Sequence, residues 1–475
     1  MQSKFKSNLN DQLFLLPPNI DDFIPEGHLA RVISEIVNTF DTHKIEERYS
    51  YQGQKSYHPK VLIKLWVYGY ATGTLSGRKI AMKCETDTAY MYLSSMYRPD
   101  FRTINDFRKD NIKSFEGYLI AVIKLCRELG MANVGTIALD GTKIRANASA
   151  KQMKDKVMYS QWLNEVEDQL ADLTQQADAV NVTEEETLIN YRGDEIPKEI
   201  RRKETLRKKI RQAIDALKDL DEETINLTDK DARPIKSAGQ IKPNYNCQGA
   251  VTSDGIIVAA YVSNNASDKG QLTPLINQTE KNTGSQVENI LADSGYASYA
   301  NYEWLEQQQK TAYIPDQDYE HRGKLKAEPY DKSNFIYNLE KDNYTCPQGK
   351  ELLFDRIFVH RTRKQKLRVY KGTQCSTCSV RTDCTNARVR QINQDIREPL
   401  REKTRNLLDS PQGKLIYKLR MNMIEPVWGN IKFNKKITMF HLRGLSKVNG
   451  EWMLIAIGNN IQKLIAKRAK LKMAA

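Results

Sequence analysis

The stretch Thr136-Ile-Ala-Leu-Asp-Gly-Thr-Lys143 decides how the chain folds. Thr136 to Leu139 are β-branched, small or aliphatic, which predicts a short buried strand. Asp140 closes that run, and Gly141 permits a sharp exit. A carboxylate at the end of a buried strand is costly unless a positive group meets it. A divalent metal, a neighbouring Lys or Arg, or a turn cap would each meet that need.

The pattern recurs in Glu288-Asn-Ile-Leu-Ala-Asp-Ser-Gly-Tyr296, an apolar run closed by Asp293 and then Ser-Gly. A third acid, Glu425, stands in Met421-Asn-Met-Ile-Glu-Pro-Val-Trp-Gly-Asn-Ile-Lys432. Two strand-end aspartates and a glutamate beside a basic helix make a hard oxygen set suited to a pair of Mg²⁺ ions. Such a pair can activate a water and stabilise the leaving oxygen in phosphodiester cleavage.

Leu139-Asp140-Gly141-Thr142, Ala292-Asp293-Ser294-Gly295-Tyr296 and Glu425-Pro-Val-Trp-Gly-Asn-Ile-Lys432 resemble the Asp-Asp-Glu (DDE) transposases of bacterial insertion sequences. Within them the match is to the class with a Tyr, Arg, Glu, Lys signature around the third acid. Tyr417, Arg420, Glu425 and Lys432 fall on that signature, although four residues rather than three separate Arg420 from Glu425. The resemblance implies an α/β fold: a ribonuclease-H-like catalytic core with helical and cysteine-bearing insertions, behind an all-α N-terminal DNA-binding domain. It also implies metal-dependent cleavage at the ends of an element and strand transfer into target DNA. Asp140, Asp293 and Glu425 would hold two Mg²⁺ or Mn²⁺ ions, and Lys432 would position a phosphate. Tyr417 and Arg420 would hold the element end. Joining two ends calls for a homodimer. Two other outcomes stay open: a DNA-binding descendant without catalysis, and a metal-dependent nuclease that cuts without joining.

Composition agrees. At 475 residues the chain can build two or three domains with sizeable cores. A formal net charge of +14 points to a polyanionic partner: DNA, RNA or an anionic membrane. No apolar run approaches the roughly 18–20 residues a membrane span needs. The first residues, Met1-Gln-Ser-Lys-Phe-Lys-Ser7, lack the apolar core of a signal peptide, so the expectation is a cytoplasmic protein beside the nucleoid. Seven cysteines, an odd number in such a chain, argue against a disulfide framework.

Taken in order, residues 1–130 read as a helical N-terminal domain. Arg98, Arg102, Arg108 and Lys109 interleave with Phe101, Ile104 and Phe107, as in a helix-turn-helix DNA reader or a bundle with a solvated basic face. Residues 131–465 read as the catalytic domain, and 466–475 as a basic tail. An insertion at 151–235 carries heptad-like seams, Trp162-Val166-Leu170-Leu173 and Leu206-Ile210-Ala213-Leu217-Leu220, around an acidic loop from Ala179 to Asp194. They predict an antiparallel helical hairpin. Its runs Arg201-Arg-Lys203 and Arg207-Lys-Lys-Ile-Arg211 would grip DNA, meet a partner subunit or face solvent.

Strands resume at Asn246–Ser253, turn at Asp254-Gly255 and return over Ile256–Val262. A helix around Leu272–Thr283, the Asp293 strand and a last strand, Thr311–Pro315, complete the core. Asp254 reads as a turn residue and Asp268 as a loop or helix cap. The insertion at 316–400 holds Cys346, Cys375, Cys378 and Cys384, either one structural Zn²⁺ site or reduced cysteines in a small β module. From Pro411 to about Phe440 a basic helix presents Lys432, Lys435 and Lys436, read as phosphate contacts. Pro426 predicts a kink or a fresh helix start beside Glu425.

Overall fold

The computed structural model describes residues 19–50, 55–185, 198–219, 223–237, 239–316, 319, 329–338, 340–360 and 365–474. The apolar segment Phe14–Pro18, part of the Ala179–Asp194 loop and Leu220 lie outside them.

The protein is α/β. From Ile20 to Glu128 every regular element is helical, chiefly α1 (Leu29–Asn38), α2 (Pro59–Thr72), α3 (Phe101–Asp110) and α4 (Phe115–Glu128). Pro59 opens α2, and the His58 side chain caps it by accepting the Lys60 N–H at 3.2 Å. Gly73 ends it at φ +80°, a conformation that favours glycine.

The central sheet starts with β1 (Thr136–Arg145), which runs through Asp140 instead of ending there. After the helical insertion come β2 (Arg233–Ser237), β3 (Gln240–Thr252) and β4 (Ile257–Ser263). The Asp254-Gly255 turn joins β3 to β4, with Gly255 at φ +74°. Helix α7 (Leu272–Thr283) leads on to β5 (Asn289–Leu291) and β6 (Thr311–Tyr313). β3 pairs antiparallel with β1 on one edge and with β4 and β2 on the other. β1, β5 and β6 are parallel. The sheet therefore mixes an antiparallel half with a parallel half, and β1 sits where they meet.

The remaining helices are α5 (Lys156–Glu185) and α6 (Lys198–Asp219) of the insertion, α7 (Leu272–Thr283), α8 (Pro411–Gly429) and α9 (Leu445–Ala474). Helix α9 covers the sheet and closes its edge. Asn460 exchanges two 2.8 Å hydrogen bonds with the backbone of Ile257, and Asn449 accepts the Val262 N–H at 2.8 Å. Those side chains satisfy edge groups of β4 that would otherwise template pairing with another chain. Gly458 lets α9 approach α2 closely, since a Cβ there would stand 2.9 Å from the Ala71 nitrogen. One apolar cluster consequently runs from Ile24 in the N-terminal helices to Leu464 in α9, with Trp66 and Trp452 fully buried. Each such large side chain contributes roughly 1.5–3 kcal/mol by leaving water.

Two satellites have cores of their own. α5 and α6 pack on Tyr159, Val166, Leu170, Ile210, Ala213 and Leu217. Helix α5 continues to Glu185, past the point where composition suggested a loop. The cysteine-bearing insertion forms a five-stranded sheet around Tyr344, Leu352, Tyr370 and Ile392. The basic C-terminal residues extend α9 as far as Ala474. No described helix is long and apolar enough to cross a membrane.

Candidate functional site

Parallel pairing of β1 with β5 matches Ala138 to Leu291. Two residues further along each chain stand Asp140 and Asp293, so the sheet itself places these carboxylates side by side. Asp140 Oδ1 accepts the Gly141 N–H at 3.0 Å, and Oδ2 accepts the Trp428 indole N–H at 3.1 Å. Asp293 caps the 3₁₀ turn Ser294–Tyr296 by accepting the Gly295 N–H at 2.9 Å. Between the two carboxylates lies the Arg420 guanidinium, with Nη2 at 3.3 Å from Asp140 and 3.8 Å from Asp293.

Burial pushes the Asp140 carboxyl up to about 6; Arg420 opposes the rise, and the charges of Asp293 and Asp268 add to it. Asp293 is raised for the same leading reason and is likewise held down by Arg420. Paired carboxylates with raised pKa values and one cation between them mark a functional-site candidate.

Helix α8 delivers both Arg420 and Trp428 to the pair. It can lie this close because Gly249, opposite Asp140 on β3, has no side chain: a Cβ there would be 2.5 Å from the Trp428 ring. Tyr417 is half-buried one turn before Arg420, its ring 6.5 Å from that of Tyr319. Lys432 is half-buried, and burial lowers its pKa while Cys247 and Asp140 pull it back up. It therefore lies within electrostatic reach of the acid pair.

Glu425 is placed differently. It is on the exposed side of α8, on the same helix as the two side chains that touch the aspartates but not with them. Among the described residues no three His, Cys, Asp or Glu side chains are grouped so as to hold a metal ion. Pro426 neither breaks nor restarts the helix: α8 runs through it to Gly429. The irregularity comes later, as a π-helical turn at Asn430–Asn434.

Asp268 is not a cap. Its carboxylate takes 2.6 Å and 2.7 Å hydrogen bonds from the Asn246 and Gln248 side chains and lies 3.3 Å from the Lys143 ammonium. It sits against Gly141 and Gly295, the residues that follow Asp140 and Ser294. Gln248 also accepts the buried Tyr296 hydroxyl, which ties this network to the turn after Asp293. The available sequence signal is the pair of amides Asn246 and Gln248, alternating along a strand that is buried from Pro243 to Thr252; buried amides need polar partners.

The expected DNA contacts divide by burial. Arg98, Arg102, Lys109 and Lys436 are exposed. Arg108 and Lys435 are not on the surface, and their reading as DNA contacts is corrected accordingly. Arg108 donates to the Tyr70 hydroxyl at 2.7 Å and stacks 3.9 Å over the Trp66 ring. Lys435 is 5% exposed, with no hydrogen-bond partner for its ammonium among the described residues. Burial, helped by the charge of Lys463, lowers its pKa to about 8.

Cys346, Cys375, Cys378 and Cys384 line one cavity in the second sheet. Backbone N–H groups of Lys350 and Arg390 point at the sulfurs of Cys346 and Cys375, at 3.3 Å and 3.5 Å. They share that lining, but among the described residues no three of them are grouped so as to hold a metal ion.

Comparison with known families gives two matches. Residues 345–465 match a family described as Transposase DDE domain, and residues 18–110 match Transposase domain (DUF772). Together they indicate an insertion-sequence DDE transposase family. The first match spans the cysteines, Glu425, Lys432 and most of α9; the second spans α1 to α3. Asp140 and Asp293 fall between the matched segments, so their pairing rests on the fold of the chain. Transposase domains support a transposase function, DNA as the partner and, for the DDE family generally, divalent metal ions. No curated protein and no solved structure matches the chain.

Proposed function

We propose that the protein is a metal-dependent DNA transposase that cleaves at the ends of its element and joins them to target DNA. The observation that carries this reading is the Asp140–Asp293 pair meeting one cation at the junction of the parallel and antiparallel halves of the sheet. Four antiparallel strands, β1 to β4, followed by two strands parallel to β1, with helices on the faces, support a ribonuclease-H-like core. Residues 1–130 serve as the DNA-binding front, residues 131–465 as the catalytic unit with insertions at 151–235 and 316–400, and 466–475 as a basic tail.

The donor set fits a hard divalent ion such as Mg²⁺ or Mn²⁺: two hydrogen-bonded carboxylates converge on one positive group. Asp140 and Asp293 would hold it. Glu425 supplies the third carboxylate from a helix position three residues before Trp428, whose indole already reaches Asp140. Residues so spaced have Cβ atoms about 5–6 Å apart. A bound ion pair would lower the pKa of a water and stabilise the departing 3′-oxygen. Lys432 holds a phosphate, and Tyr417 and Arg420 hold the element end. Exposed Arg98, Arg102, Lys109 and Lys436 add phosphate contacts that fix register. Synapsis of two ends makes the working form a homodimer on DNA. In the second sheet, the four cysteines would hold one structural Zn²⁺ if drawn together around it, with four thiolates and no open position.

The exposed position of Glu425 favours a second reading, a protein that binds DNA without cutting it. A strand-transfer assay separates the two. Linear DNA bearing the inverted repeats that flank the gene is incubated with protein and Mg²⁺. Joined product supports the transposase, cleaved product alone supports a nuclease, and gel retention without either supports the binder.

A further inference from the structure

The helical insertion ends in a charged face that the acid pair and the N-terminal helices do not use. α6 carries nine Lys or Arg residues against four Asp or Glu. On the side turned toward α5, Arg211 pairs with Glu167 at 2.6 Å and Lys203 meets Gln169. Leu206, Ile210, Ala213 and Leu217 build the seam with α5. Along one flank of the helix beside that seam, Lys198, Arg201, Arg202, Lys208 and Lys209 are exposed, and none has a carboxylate partner among the described residues. At 100° per residue they follow one stripe of the helix. Lys198, Arg201, Arg202 and Thr205 alone line a shallow groove there.

We propose that this stripe of α6 is a DNA-backbone track, lying along the phosphates of duplex DNA that enters the Asp140–Asp293 site. The inference rests on the transposase reading and extends it to a surface. Three observations select DNA over the alternatives. From Lys198 to Lys209 the stripe runs about 17 Å along α6, the length of roughly five base pairs of duplex. A docked protein would want an apolar centre, yet the described large hydrophobics exposed on the insertion are Val157 and Met158 at the start of α5, not on α6. A second copy of this chain carries the same net charge of +14 and would be repelled by the stripe. Attachment also fits. The insertion leaves β1 just past Arg145, five residues beyond Asp140, or about 16 Å along the strand.

The contact is electrostatic and reads no sequence, so salt dependence is its signature. The parent and a K198Q/R201Q/R202Q/K208Q variant are titrated against a fluorescent 40-base-pair duplex of arbitrary sequence. Anisotropy is read in EDTA from 50 to 300 mM KCl. If each of the four side chains neutralises one phosphate, the slope of log K against log salt becomes shallower by about 3–4. Affinity near 150 mM salt falls at least tenfold. The substituted side chains are outside the α5–α6 core, so the melting temperature stays with the parent. A K218Q/R356Q control keeps the parental slope. A variant slope equal to the parent's overturns the inference, and so does a change confined to oligomeric state in sedimentation, which assigns the stripe to a second copy. If the parent binds no duplex at all, the transposase reading falls with it; if parent and variant bind alike, the track alone falls.

Discussion

Arg420 occupies the position between Asp140 and Asp293 that a divalent ion would take, so its removal should make metal binding easier. The perturbation is Arg420→Ala. At an effective dielectric near 20, a unit charge 3.3 Å and 3.8 Å from two carboxylates interacts with them by about 5 and 4 kcal/mol before desolvation is counted. Arg420 is 12% exposed and the Asp140 side chain 18%, so solvent screens that contact only in part, whereas the Asp293 side chain is 40% exposed and its contact is largely screened. Breaking such a buried pair costs about 3–5 kcal/mol, because it leaves uncompensated charge behind. The variant should therefore melt lower than the parent in EDTA. The same cost opposes metal binding in the parent, where the guanidinium must be displaced. Even half of the lower figure, about 1.5 kcal/mol, corresponds to roughly tenfold in affinity. The assay is a Mn²⁺ titration by calorimetry without DNA, with melting curves in EDTA and in 1 mM Mn²⁺. The expected result is at least tenfold tighter Mn²⁺ binding and a larger Mn²⁺-induced rise in melting temperature than in the parent. Equal or weaker Mn²⁺ binding by the variant would refute the idea that Arg420 stands where the metal goes.

Asp268→Asn should keep the bonds from Asn246 and Gln248 but strand the Lys143 ammonium, at a cost of about 2 kcal/mol in urea unfolding; adding Lys143→Met should recover most of it. Lys435→Met should raise stability at pH 7 by removing a buried, unpaired charge. The sign follows from a folded pKa of about 8 below an unfolded value of 10.5. Between those values the unfolded chain binds more protons, so the parent should gain stability as pH rises from 8 to 10.5, by about 3 kcal/mol at most, and Lys435→Met should not show that gain. Metal analysis of the purified protein should find one zinc per chain, and Cys375→Ser should lose it; a parent without zinc would leave the four cysteines as packing groups of the second sheet.

The sequence made part of the sheet legible, because β4, β5 and β6 are short, largely apolar runs with marked ends. Asp254-Gly255 turns where a hairpin signal should, and the apolar runs before Asp140 and Asp293 fall on neighbouring parallel strands, although β1 continues through Asp140 to Arg145. The site was legible only as far as those strands carry it. Asp268 lies in the polar loop Asn264–Lys269, where local pattern gives no sign that a carboxylate reaches back to β3. Its cue was non-local, in Asn246 and Gln248. Trp428 is not legible as a site residue, because a tryptophan on a helix ordinarily reads as core, and its indole N–H bonds Asp140 only where Gly249 leaves room. Charge alone cannot tell which face of an element a lysine takes, which is why Lys435 and Arg108 read as surface groups and prove to be interior ones. Glu425 shows the same limit. Its spacing from Lys432 sets a helical phase, but which side of α8 meets the sheet is decided by Arg420, Trp428 and the glycine beneath them.

The most direct test of the acid pair is to locate a metal there. Crystals of the protein grown with Mn²⁺ and measured at the manganese absorption edge should show an anomalous peak between Asp140 and Asp293, about 2.0–2.6 Å from an oxygen of each, with the Arg420 guanidinium moved aside. A fully occupied manganese elsewhere in the protein, with Arg420 still bridging the two carboxylates, would contradict the account.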